Sequence, residues 1–147
     1  MAETGRAPLE DPAVRAALRQ AWEDSRPGPT GGHEEGGFLL RDPTGVLSVE
    51  RWPLGFQDSI IVPDHSGCKR RGQDIVATFH THPNTGSDFL QDPSVTDIRA
   101  VRDDSQLKGP FYAGEFVISR DTIYLIEPTG HATELGATRD TLAIGAG

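Results

Sequence analysis

Apolar residues at Val14, Ala17, Leu18, Ala21 and Trp22 recur at the three-to-four-residue spacing of one helical face. Asp11-Pro12 stands just ahead of them, an aspartate able to cap free amides and a proline that loses no bond at the first helical position. The pattern predicts a helix over about 12–24, ended by the proline- and glycine-rich stretch 26–32. The period then shortens. Gly36 to Leu40 and Val46 to Trp52 read as two strands of a hairpin turned by Asp42-Pro43-Thr44-Gly45, and Ser59 to Val62 reads as a third, short strand. A further strand covers 74–82 and stops at Pro83, which has no N–H to give a ladder. Asp92-Pro93 repeats the helix-start signal, and Val95, Ile98 and Val101 predict a second helix over about 93–104. Glu115 to Ser119 and Thr122 to Glu127 predict a closing hairpin turned at Arg120-Asp121. From Gly136 the chain is rich in glycine and alanine, which predicts a frayed tail over 136–147 behind a single domain of 1–135.

Strands interleaved with helices in 147 residues give an α/β domain with one core. A formal charge of -8 and a single short basic cluster, Lys69-Arg70-Arg71, argue against a nucleic-acid partner. Cys68 is the only cysteine, so it closes no intrachain disulfide and offers no second thiolate to a metal. No stretch approaches the ~18 apolar residues of a membrane span. The start of the chain lacks the charged and then apolar pattern of a secretory signal. The expectation is a cytoplasmic protein without a membrane partner, with signal-independent export left open.

The chemistry concentrates in residues 79–97. His80 and His82 are two apart in a strand, so both imidazoles point to the same face, as two ligands of one metal would, or as two polar residues at a strand end would. Ser94 and Asp97 are one helical turn apart. They fit a capping box that starts the helix, although Asp92-Pro93 already offers a cap. Upstream, Glu34 precedes Gly36 and Gly37, which keep side chains away from the backbone just beyond the carboxylate.

Glu-x-x-Gly-Phe-Leu at a first strand (from Glu34), His-x-His-Pro on a later strand (His80 to Pro83) and Pro-Ser-x-x-Asp opening a helix (Pro93 to Asp97) occur together and in this order. In that combination the chain, over about residues 12–127, resembles the JAMM (MPN+, or JAB-type) zinc metalloprotease family. The resemblance implies the MPN fold, a central mixed β-sheet flanked by helices. It also implies a Zn²⁺ ion held by His80, His82 and Asp97 with a water in the fourth position, Glu34 as general base and Ser94 as the hydroxyl that stabilises the oxyanion. The implied reaction is hydrolysis of an amide or isopeptide bond in a protein substrate, such as the C-terminal tail of a ubiquitin-like or sulfur-carrier protein. Two other readings stay open: a bacterial toxin or defence-system peptidase with another protein substrate, and a non-catalytic MPN binding scaffold.

The spacing departs from the family pattern. His82 and Asp97 enclose fourteen residues, four more than usual, which lengthens the loop from Asn84 to Gln91 and makes Asp92, and more distantly Asp88, rival ligands. Only Asp97 completes Pro-Ser-x-x-Asp, and a surface loop absorbs an insertion more easily than a helix does. His33, His65 and His131 lie in polar segments and read as solvent-exposed. Cys68 stands beside two cations that would lower its pKa, yet lacks a recognisable histidine partner and reads as a bystander.

Overall fold

Helix α1 (Pro12–Asp24) starts where the Asp11 side chain accepts the N–H groups of Ala13 and Val14. Its face of Val14, Leu18, Ala21 and Trp22 is buried. Removing a side chain such as Leu18 from water contributes about 2 kcal/mol, and this burial, more than propensity, holds the helix. The computed structural model describes residues 6–144. In it α1 follows a short 3₁₀ turn, Ala7–Glu10, and packs on one face of a seven-stranded mixed sheet.

The strands are β1 (Gly36–Arg41), β2 (Leu47–Arg51), β3 (Lys69–Arg70), β4 (Gln73–Thr81), β5 (Glu115–Ile118), β6 (Thr122–Ile126) and β7 (Ala132–Ala137). Their order is β2-β1-β4-β5-β6-β7, with the two-residue β3 also paired to β4. All pairings are antiparallel except β4 with β5. That parallel pair needs a crossover, and helix α2 (Val95–Arg102) lies within it.

Alternation divides the sheet into two faces. Leu39, Ala77, Phe79, Phe116 and Ile118 join the α1 side chains in one core. Phe38, Leu40, Ile75 and Val117 join Trp52, Leu107, Tyr112 and Val101 of α2 in the other. Phe38 and Trp52 meet edge to face, 5.2 Å between ring centroids. Thr78, His80 and Glu115 share the α2 side by strand parity.

Three expectations need correction. Ser59 to Val62 is not a strand: it pairs with no strand of the sheet, Ser59 O instead accepts the Phe56 N–H at 2.7 Å in a local turn, and only Ile60 packs on the core while Ile61 is exposed. Helix α2 begins at Val95 rather than Pro93, because Ser94 is its N-cap. The segment from Gly136 is not a frayed tail up to the last described residue, 144. β7 runs to Ala137, a single helical turn α3 (Thr138–Thr141) follows, and Leu142 is wholly buried against α1. Thr138 anchors this end by donating its hydroxyl to Ser119 O at 2.7 Å. The remainder of the predicted tail, 145–147, lies outside the described residues. No helix among the described residues is long and apolar enough to cross a membrane.

Candidate metal centre

β4 carries His80 and His82 to the end of the sheet. His82 lies just beyond the assigned strand but is still held by it, its N–H donating to Ile118 O at 2.8 Å. Both side chains are almost completely buried. Their Nε2 atoms lie 3.2 Å apart. α2 closes the cluster from above: Asp97 Oδ1 is 3.3 Å from His80 Nε2, and Oδ2 is 3.1 Å from His82 Nε2. One ligand atom from each of the three residues lies within 4.8 Å of the others. Two lone-pair nitrogens and a carboxylate aimed at a common point repel one another unless a proton or cation lies between them. A nitrogen–nitrogen–oxygen set of this kind fits a divalent transition metal with a fourth position left open.

Asp97 is both the third residue of α2, closing its capping box, and a candidate ligand. Ser94 Oγ accepts the Asp97 N–H at 3.0 Å, and Asp97 Oδ2 accepts the Ser94 N–H at 2.9 Å. The capping box therefore aims the carboxylate at the histidines. Burial alone would raise the Asp97 pKa, but hydrogen bonds from His80 and His82 outweigh it and hold the carboxyl well below its usual range. Burial likewise pulls His80 down, and the charges and hydrogen bonds of Glu115 and Asp97 outweigh it and leave the imidazole well above its ordinary value. The rivals by spacing, Asp92 and Asp88, are exposed and outside the cluster.

Glu34 reaches the same cleft from the segment before β1. Its N–H donates to Phe56 O at 2.7 Å, and its carbonyl accepts the Gly55 N–H at 2.8 Å. Next to it, Glu35 N–H donates to Thr81 Oγ1 at 3.0 Å. Glu34 is thus fixed between β4 and the 55–56 loop. With its side chain almost wholly buried, loss of water pushes its pKa from 4.5 to about 7; the nearby His80 and His82 pull it down, and Asp97 and Glu115 push it up. The room made by Gly36 and Gly37 is taken by the protein itself: a Cβ on Gly36 would lie 2.6 Å from both Phe79 O and the Trp52 ring, and one on Gly37 would lie 2.7 Å from the Phe79 ring.

The cleft has a volume of about 450 Å³, and Glu34, His80, His82, Ser94 and Asp97 all line it. Its apolar wall comes from Trp52, Ile60, Val62, Phe89 and Leu90. Two supports of the cluster carry no sequence motif. Glu115 on β5 places Oε2 at 2.5 Å from His80 Nδ1. The main-chain carbonyl of Gln91 lies 3.2 Å from His82 Nδ1. Only the polar opening of an otherwise apolar strand, Glu115-Phe116-Val117-Ile118, hints at the first, and nothing in the sequence signals the second.

The remaining candidates sit elsewhere. His33 pairs with Glu35 at 2.5 Å and His65 with Asp104 at 2.6 Å, both half-buried rather than exposed, because each has found a carboxylate; His131 is exposed. Cys68 is buried, and loss of water raises its pKa despite Lys69. No family model, no curated protein and no solved structure matches the chain.

Proposed function

We propose that this chain is a zinc-dependent peptidase or isopeptidase of the JAMM kind, built on the MPN version of its mixed α/β fold. The observation that carries this reading is the convergence of His80, His82 and Asp97 within 4.8 Å in the same cleft as a buried Glu34. His80, His82 and Asp97 would hold the metal. When bound, zinc supplies Lewis acidity and lowers the pKa of a water to about 7.

Glu34, with its pKa pushed up to about 7, is suited to take a proton at neutral pH and to return it to the leaving amine. Its place in the same cleft, and not among the ligand atoms, supports the role of base. Ser94 Oγ accepts the Asp97 N–H and keeps its own O–H free to donate toward an oxyanion in the cleft. The apolar wall of Trp52, Ile60, Val62, Phe89 and Leu90 suits an extended peptide. A ubiquitin-like or sulfur-carrier tail is the substrate proposed on the strength of the three motifs.

The test combines metal analysis with cleavage assays on ubiquitin-like fusions, both linear and isopeptide-linked. Purified protein should hold about one zinc per chain, which the pair of substitutions His80→Ala and His82→Ala removes. Glu34→Gln should keep the zinc and lose about two to four orders of magnitude in turnover. Absence of zinc from the unsubstituted chain, or full turnover by Glu34→Gln, would overturn the reading.

A further inference from the structure

Glu115 is a buried carboxylate at the start of β5, and among the described residues it pairs with no lysine or arginine. A buried charge of this kind costs several kcal/mol unless its partners compensate, and its side-chain partners are Thr78 on one oxygen and His80 on the other. Thr78 and Glu115 are register neighbours across the parallel β4–β5 pair, so both project on the α2 side of the sheet. Thr78 Oγ1 donates to Glu115 Oε1 at 2.9 Å, and Tyr112 Oη lies 2.8 Å from the same Oγ1.

The proton order in this chain is determined. A carboxylate only accepts, so the Thr78 hydroxyl proton goes to Glu115, and Tyr112 must donate to Thr78. The second carboxylate oxygen then accepts the His80 Nδ1–H, at 2.5 Å. Once a cation takes the place of any proton on Nε2, an imidazole that keeps its Nδ1 proton has its lone pair on Nε2, the nitrogen that faces His82 and Asp97. His82 is oriented by a neutral carbonyl instead, that of Gln91.

We propose that Glu115 is a positioning residue of the metal centre, its carboxylate locking His80 in the tautomer that presents Nε2 to the ion. This rests on the metal reading above. It adds a fourth residue to the three ligands and assigns His80 an anionic anchor that His82 lacks.

The test measures zinc affinity by competition with a chromophoric chelator, beside thermal melts of the metal-free proteins. Glu115→Gln should weaken zinc binding by about 10- to 100-fold, with a metal-free melt close to that of the native chain. Native-like affinity in a folded Glu115→Gln protein overturns the positioning role and leaves the metal reading standing. No zinc uptake by the native chain overturns the metal reading itself, and this inference with it. A second readout does not depend on any variant folding: ¹⁵N-histidine NMR of the zinc-loaded native chain should show His80 coordinated through Nε2 with Nδ1 protonated. Coordination through Nδ1 would refute the assignment.

Discussion

His82 Nδ1 lies 3.2 Å from the main-chain carbonyl of Gln91, so the loop that lengthens the His82-to-Asp97 interval carries the group that orients one of the two histidines. Gln91 Nε2 in turn donates to Asn84 O at 2.6 Å. The buried Asn84 side chain accepts the Gly32 N–H at 2.8 Å and donates to Gly32 O and Gln57 O at 3.2 and 3.0 Å. The ends of the loop are therefore built into the site, tied to the segment that leads to Glu34. The expected surface loop is real at Ser87, Asp88 and Leu90, which are exposed, and not at Asn84, which is buried.

Asn84→Ala should destabilise the fold by about 3 kcal/mol, because it strands several buried backbone groups. Ser87→Ala should stay within about 0.5 kcal/mol of the native value. Urea unfolding of the two variants checks this. Deleting Ser87 and Asp88 should leave zinc content near native, whereas a deletion that removes Gln91 should lower it. Equal stability of Asn84→Ala and Ser87→Ala would mean that the hydrogen bonds of Asn84 do not hold the loop.

Gly36 pairs with His80 across β1 and β4, and a methyl group there would lie 2.6 Å from Phe79 O and from the Trp52 ring. Neither the backbone carbonyl nor a ring packed in the core can retreat cheaply. Gly36→Ala should cost about 1–3 kcal/mol as an overpacked site and should disturb the strand that delivers Glu34. A melting temperature equal to that of the native protein would contradict the close packing.

Burial raises the Glu34 pKa from 4.5 to about 7, so the metal-free folded chain binds this proton more tightly than the unfolded chain does. The stability it contributes is fully present below pH 4.5 and is lost as pH rises through about 7. Above about pH 8 the ionised side chain should cost about 3 kcal/mol relative to a neutral isostere. Glu34→Gln should therefore stabilise the metal-free protein in mildly alkaline buffer, with the difference vanishing as pH falls toward 4.5. Melts of both proteins across this range would expose the opposite trend if Glu34 were instead stabilised as an anion.

Asp97 and Ser94 share one capping box but separate by chemistry. Asp97→Asn keeps an oxygen that can accept the Ser94 N–H, so α2 should survive while zinc is lost. Ser94→Ala removes the acceptor of the Asp97 N–H and should cost about 1 kcal/mol, with zinc retained and turnover lowered. Asp92→Asn, at an exposed position that does not cap α2, should change neither. Dependence of zinc on Asp92 would place the ligand by spacing and undo the register of α2.

Much of this was legible along the chain because it is local. Asp11-Pro12 and the apolar face behind it define α1, and the Arg120-Asp121 turn joins β5 to β6. β7 was not legible: Ala132 to Ala137 is an edge strand with half-buried side chains and no strong alternation, so the signal of period two is missing. The start of α2 was legible only as a choice between Asp92 and Ser94, and the reciprocal bonds between Ser94 and Asp97 decided it.

By itself the sequence determined that His80 and His82 share one face, and that Ser94 and Asp97 lie one turn apart, because backbone geometry sets those relations within a single element. Tertiary structure alone decided which elements meet. The parallel pairing of β4 with β5 brings Glu115 behind His80, the crossover carries Asp97 over the same face, and the antiparallel pairing of Gly36 with His80 delivers Glu34. Register between strands distant in sequence follows from the burial of both sheet faces at once, a property of the whole core that no local pattern encodes.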